Sequence, residues 1–242
     1  MHERRNPIRI AAVLHRFAAS TLAVALLLIG IGSARADEAD DAKQIVEKAK
    51  LSAEQFQKES TMESLRDLAK RSRGMLILPD MVRGAFIFGA SGGSGVFFAR
   101  DSVGAPWRGP AFYTLGGASF GFQAGVDVAQ VMILAMTERG VTKLLSPQVK
   151  LGADISVAAG PVGAGAAAAS AGLSADLVSY SMAKGLYGGF SVDGSVVGVR
   201  TSLNNAYYGK EVTPTDILIK GTVKNPHADA LLELVKQLGG GM

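Results

Sequence analysis

The chain of 242 residues contains no cysteine. Disulfides are therefore excluded, as is lipid attachment through a lipobox cysteine, and a fold in an oxidising compartment must be held by its core alone. Histidine is scarce as well: His2 and His15 fall in the first 36 residues and His227 stands alone beyond them. Carboxylates cluster only in EADD (38–41). No metal-ligand set can be built from such spacing, and neither a metal nor another cofactor is expected. Excess charge is missing too. Of 25 Lys+Arg and 21 Asp+Glu, five Arg and one Glu lie in residues 1–36, which leaves 20 of each sign. A neutral body removes the compositional argument for nucleic-acid binding. No apolar run reaches the roughly 20 residues of a membrane span, and no repeat of 20–50 residues is present.

What is present begins with an address. MHERRNPIRIAAVLHR is basic, FAASTLAVALLLIGIG is apolar, and Ala34-Arg35-Ala36 is the small-x-small pattern of a signal-peptidase site. Residues 1–36 read as a signal peptide cleaved after Ala36. Residues 37–242 read as one exported domain, periplasmic or secreted, with peripheral membrane association. A body of that length suits one sizeable core. Thirty glycines point away from a helix bundle and toward bent strands, bulges and tight turns.

Residues 38–73 are polar and helical in spacing. Ile45, Val46 and Ala49 follow an acidic start, and Ser52 with Gln55 and Ser60 with Glu63 fit capping boxes. Leu65, Leu68 and Ala69 share the face of a helix that Gly74 is expected to end. The texture then changes. MLILP reads as a strand stopped by the turn pair Pro79-Asp80. VRGAFIFGASGGSGVFFARD reads as a hairpin whose turn is the Gly/Ser-rich stretch. AFYTLGGASFGFQAGVDVAQVMILAM is a long strand region, and TERGVTKLLS a helix capped by Thr137. VKLGADISVAAG is a further strand, and 160–175 a flexible Gly/Ala connection. VSYSMAKGLYGGFSVDGSVVGVRTS supplies two or three more strands with a Val-Asp-Gly-Ser turn. Short helices follow in LNNAYYG and TPTDILIKG. Asn225-Pro226 then opens a last helix with Leu231, Leu234, Val235 and Leu238 on one stripe. The expected class is α+β: N-terminal amphipathic helices, a glycine-rich antiparallel sheet or barrel-like sandwich of seven or more strands, and a C-terminal helix.

Three constellations carry possible chemistry. GASFG matches the G-x-S-x-G elbow of serine hydrolases, with Ser119 as nucleophile and His227 as base. Phe120 and Phe122 alternate with small residues around that serine, however, as they do in a strand. The glycine clusters GASGGSG and GPVGAG lack the G-K-[ST] of a phosphate loop and read as turns. The densest basic patch is Lys70, Arg71 and Arg73, with Arg83 close in sequence. Basic residues at a helix C-terminus complement its dipole. Beside the apolar residues Phe86, Phe88, Phe97 and Phe98 they also offer headgroup and acyl contacts for an anionic lipid.

The blocks SRGMLILP, GAFIFGASGGSG, SFGFQ and KGLYGG occur in the order in which they occur in the SYLF domain, and the sequence over about 40–221 resembles that family. The resemblance implies a fold in which SFGFQ is structural. It also implies binding of anionic phospholipids, attributed in the family to a basic N-terminal amphipathic helix, and no established catalysis. Lys43, Lys48, Lys50 and Lys58 stand in the corresponding region, diluted by Glu47, Glu54, Glu59, Glu63 and Asp67. Eukaryotic members act in the cytosol, some on actin filaments, which does not suit an exported chain. The expectation is a non-enzymatic protein that binds anionic phospholipid in a bacterial envelope. Headgroup contacts come from Lys70, Arg71, Arg73 and Arg83, and apolar contacts from Phe86, Phe88, Phe97 and Phe98. A hydrolase using Ser119 and His227, or a structural, partner-binding envelope protein, is the alternative.

Overall fold

The computed structural model describes residues 37–240 except 86–87, 121–124, 161–173, 184–185 and 189–191. For 83–85, 88–89, 118–120, 125–126 and 186–188 it describes the backbone alone. The expected signal peptide, Phe86 and most of the Gly/Ala connection thus lie outside the described residues.

The first helix, α1, runs unbroken over 37–58. Ala42, Val46, Ala49, Ala53 and Phe56 recur at intervals of three and four and are fully buried, which is the stripe a helix must cover. Ser52 lies inside this helix rather than capping a second one. No glycine or proline interrupts 37–58, and the apolar stripe continues past the serine, so local capping chemistry loses to burial. A 3₁₀ turn, Ser60–Met62, follows. Its cap is the Glu59 carboxylate, which accepts from the Thr61 N–H at 3.2 Å, in place of the expected Ser60–Glu63 box. Helix α2, Glu63–Arg71, buries Leu65, Leu68 and Ala69. Ser72 ends it, its hydroxyl donating to the Ala69 carbonyl at 2.8 Å, and Gly74 is instead the first residue of a strand.

Nine strands form one sheet among the described residues. They are β1 Gly74–Ala85, β2 Phe88–Ala99, β3 Arg108–Phe120, β4 Gly125–Ala135, β5 Gln148–Lys150, β6 Val157–Ala159, β7 Leu177–Ala183, β8 Leu186–Gly188 and β9 Val196–Val199. The order is β5-β9-β3-β2-β1-β4-β7-β6, with β8 paired to β7. Every pairing is antiparallel except β6 with β7. The long strand region foreseen over 111–136 is two strands that do not pair with each other, because β2 and β1 lie between them.

Two expected turns prove to be strand. Pro79-Asp80 sits within β1, where the register with β4 shifts between Leu78 and Met81. A bulge tolerates a residue without an N–H, so the proline bends the strand without stopping it. The stretch GASGGSG lies inside β2 because the bulged backbone of β1 crosses close beside it. A Cβ on Gly95 would come within 2.2 Å of the Ile77 carbonyl oxygen. Glycine here marks close approach of two backbones rather than a reversal.

Alternation along the strands sorts the core onto both faces of the sheet. Met75, Ile77, Val96, Phe98, Phe112, Met132 and Leu134 pack under α1, α2 and the C-terminal elements. Leu76, Leu78, Phe97, Tyr113, Val131 and Ile133 pack on the other side. That side is covered by α3, Glu138–Leu144, capped by Thr137 as expected, and by α5, Pro214–Leu218. Helix α4, Thr201–Tyr208, is joined to β3 by the buried Asn204. Its side-chain oxygen accepts from the Phe112 N–H at 2.8 Å. The turn at 192–195 forms as read, with Gly194 at φ 80°. Asn225 caps a 3₁₀ turn, Pro226–Ala228, that leads into α6, Asp229–Gly239. The architecture is α+β, as the patterning requires.

Candidate functional site

The structure keeps three of the four basic residues together. Lys70 and Arg71 end α2 and are exposed, and Lys70 pairs with Asp67 at 3.4 Å. Arg73 follows, donating to the Asp101 carbonyl at 3.1 Å and pairing with Glu138 at 3.2 Å. Arg83 is not with them. It lies most of the length of β1 away, about 30 Å at roughly 3.3 Å per residue, with its backbone in register with Ser91 and Asp127. Two of the four phenylalanines are not at the surface either. Phe97 and Phe98 are fully buried on opposite faces of the sheet, because neighbouring strand residues point opposite ways. Phe88 is in β2 with its side chain outside the description, like that of Arg83.

The cation that sequence reasoning missed is Arg100, 1% exposed. Its Nε donates to the Ser72 carbonyl at 2.9 Å, Nη1 to Gly239 at 3.1 Å and Nη2 to Lys70 at 2.8 Å. The guanidinium lies 4.5 Å from the centroid of the Trp107 ring. These carbonyls close α2 and α6, so one side chain satisfies the exposed ends of two helices and meets the negative poles of both. Burial holds its pKa below the usual arginine value. Each of its three nitrogens donates to a carbonyl within the fold, so Arg100 is a structural clamp.

Asp176 is the other buried ion, 8% exposed. It accepts from the Thr137 hydroxyl at 2.6 Å and the Ser156 hydroxyl at 2.8 Å, and pairs with Arg139 at 3.3 Å. Burial alone would raise its pKa, but those hydroxyls and the arginine charge together hold it below the ordinary carboxylate value. It ties α3 to β6 and β7.

The hydrolase constellation does not assemble. The Ser119 backbone is strand, in register with Gly89 of β2, whereas an elbow is a sharp strand-to-helix turn. His227 is half-buried, with Nδ1 3.3 Å from the Tyr207 hydroxyl and Nε2 3.4 Å from Glu47. Tyr207 packs edge-on to Phe112 at 5.0 Å. Ser119 is about 23 Å further along β3 at roughly 3.3 Å per residue.

Helix α1 has its apolar stripe committed to the core. Its lysines are matched by carboxylates: Lys43 with Asp40, Lys48 with Asp80, Lys50 with Glu47 and Lys58 with Glu54. The amphipathic face implied for membrane contact is therefore inside the fold. The free apolar surface lies beyond α1 on the same side of the sheet. Val82 and Val128 are register partners, each 46% exposed. The row continues through Gly92 and Gly116 to Val196. A cleft of about 250 Å³ adjoins it, lined by residues of α1, the Pro79-Asp80 bulge, Ser94 and Arg200. No helix among the described residues is long and apolar enough to cross a membrane.

Fold and site together define an α+β sheet module with a strip of apolar strand surface left exposed among the described residues. Comparison with known proteins gives its family. The family model described as "Ysc84: Las17-binding protein actin regulator" matches residues 116–238. The chain is 34% identical over 173 residues to Protein YSC84 of Saccharomyces cerevisiae, covering 69% of this chain and 36% of that one. It is 33% identical over 166 residues to LAS seventeen-binding protein 3 of the same yeast, covering 67% of this chain and 36% of that one. To the human SH3 domain-containing YSC84-like protein 1 it is 29% identical over 167 residues, covering 68% and 48%. The chain belongs to the Ysc84, or SYLF, family, and the matches span less than half the length of these relatives.

Proposed function

We infer that this chain is a non-enzymatic, exported binding module that attaches to anionic phospholipid at a membrane surface of the bacterial envelope. The observation that carries the reading is the exposed strip of Val82, Val128, Gly92 and Gly116. Valines at a sheet centre are ordinarily covered, and a cross-strand apolar row left open in a body whose residues 37–242 carry 20 charges of each sign suits an interface. Lys70 and Arg71, exposed at the end of α2, supply electrostatic attraction to an anionic surface. The strand backbone at Ser119, in place of a strand-to-helix elbow, favours binding over hydrolysis. The family description and the name of one yeast relative, LAS seventeen-binding protein 3, record binding to Las17. An exported chain would need a different partner, and the apolar strip favours lipid.

Co-sedimentation with phosphatidylglycerol vesicles and with phosphatidylcholine vesicles tests the reading. Pelleting with the anionic vesicles that weakens as salt rises is expected. Equal pelleting with both, or none with either, would sink it.

A further inference from the structure

Gly92 and Gly116 are neighbours in register on β2 and β3, and no side chain of the described residues lies within 4 Å of a Cβ built on either. The nearest atom to a Cβ built on Gly92 is the Leu115 carbonyl oxygen at 3.8 Å. On Gly116 it is that of Ser91, at 3.9 Å. Elsewhere in β2 glycine is forced by the crossing backbone, as at Gly95. Here it is not, since a larger side chain would fit. The result is a floor of bare backbone with the exposed Val82 and Val128 to one side and Val196 to the other. A methylene chain laid there contacts backbone and valine methyls without displacing a side chain.

The floor runs directly into the cleft. Ser94 is two residues from Gly92 on the same strand, so it points to the same face. Arg200 donates from Nη1 to the Ser94 hydroxyl at 3.0 Å, and among the described residues it is paired with no carboxylate. Of the acids in the cleft, Asp80 is neutralised by Lys48 at 2.8 Å. Asp41 is exposed at the α1 wall, where water screens it. A guanidinium without a carboxylate partner, beside a hydroxyl, is a fitting pair for a phosphate, which takes two parallel N–H donors and a third O–H.

We propose that one phospholipid molecule binds along this face, its phosphate held by Arg200 and Ser94 and one acyl chain lying over Gly92 and Gly116. The proposal rests on the membrane-surface reading and adds to it a discrete site, away from Lys70, Arg71 and Arg73.

Titration calorimetry with dihexanoyl-phosphatidylglycerol, which dissolves as single molecules, tests it alongside glycerol phosphate, which has the head without the chains. The lipid should bind and glycerol phosphate should bind at least tenfold more weakly. Arg200→Gln should weaken lipid binding about tenfold, the worth of one charge-assisted hydrogen bond. Gly92→Ile is the sharper variant, because it adds apolar surface yet fills the groove. Its Cβ clears every neighbour, so it should fold and melt normally. A tenfold or greater loss of lipid binding is expected. Unchanged or tighter binding, equal binding of glycerol phosphate, or a concentration-dependent dimer abolished by Gly92→Ile with no lipid bound would each overturn the site. If the unaltered chain pellets with anionic vesicles while both variants pellet equally well, the site falls and the membrane reading stands. If the unaltered chain binds no vesicle and no lipid, both fall.

Discussion

Replacing Arg100 by methionine keeps most of the buried volume and removes the charge. Three carbonyl groups, on Lys70, Ser72 and Gly239, then lose donors at 2.8–3.1 Å. Each hydrogen bond to a charged group contributes about 1.5–3 kcal/mol, and the stacking on Trp107 adds about 1–2 kcal/mol for a desolvated cation. Against this stands the relief of no longer burying a guanidinium that meets helix poles rather than a carboxylate, several kcal/mol in its own right. The balance leaves a loss of about 3–5 kcal/mol. In urea, with a slope of about 2–3 kcal/mol/M for a domain of this size, the midpoint should fall by roughly 1–2.5 M. Arg100→Lys should not rescue, because an ammonium reaches fewer of the three carbonyls and remains buried. Arg108→Met serves as control: its half-exposed pair with Asp101 at 2.9 Å should cost under about 1 kcal/mol. Far-UV circular dichroism across a urea series measures all three. A loss below about 1 kcal/mol in Arg100→Met, or full rescue by lysine, would refute the clamp.

Four further outcomes follow from the structure. Gly95→Ala drives a methyl into the Ile77 carbonyl oxygen and should cost about 1–3 kcal/mol by forcing β1 and β2 apart, read in thermal melts and as faster amide exchange in both strands. Asn204→Ala leaves the Phe112 N–H buried without its 2.8 Å partner and should cost about 1–3 kcal/mol, with Asn204→Asp recovering part of it because the acceptor oxygen stays. Asp176 has its pKa lowered in the fold, so its contribution is present above the ordinary carboxylate pKa and is lost as pH falls below about 4 toward the folded value. Stability measured from pH 5 to pH 2 should drop less steeply in Asp176→Asn than in the unaltered chain. Asp216, held at about 2 by Thr213 and Lys220, should titrate near that value in a carboxyl-detected NMR series.

Local signals were legible where one residue decides one backbone group. Thr137 and Asn225 were readable as caps, Val192-Asp193-Gly194-Ser195 as a turn, and the stripe of Leu231, Val235 and Leu238 as a helix face, because each depends only on neighbours within a turn or two. Ser52 misled because the same capping chemistry is overridden when a helix has an apolar face to bury on both sides of the serine. The candidate site was less legible. Lys70, Arg71 and Arg73 are adjacent in sequence and stay so in space. Arg83 is near them only in number, since a strand carries the chain away at about 3.3 Å per residue. Phe97 and Phe98 read as a surface pair, but strand alternation sends them to opposite cores.

By itself, then, the sequence determined the α+β class, the helices at both ends, the neutral body and the family, all properties of composition and short-range pattern. The tertiary structure decided what the glycines mean. Gly95 exists for a backbone that passes 2.2 Å from its missing Cβ, and Gly92 for open space, yet both sit in the same GGSG and no local propensity separates them. It also decided that Arg100 is a clamp and that Arg200 is paired with no carboxylate among the described residues. What a guanidinium does depends on which helix ends and hydroxyls converge on it, and those come from segments as far apart as Ser72 and Gly239.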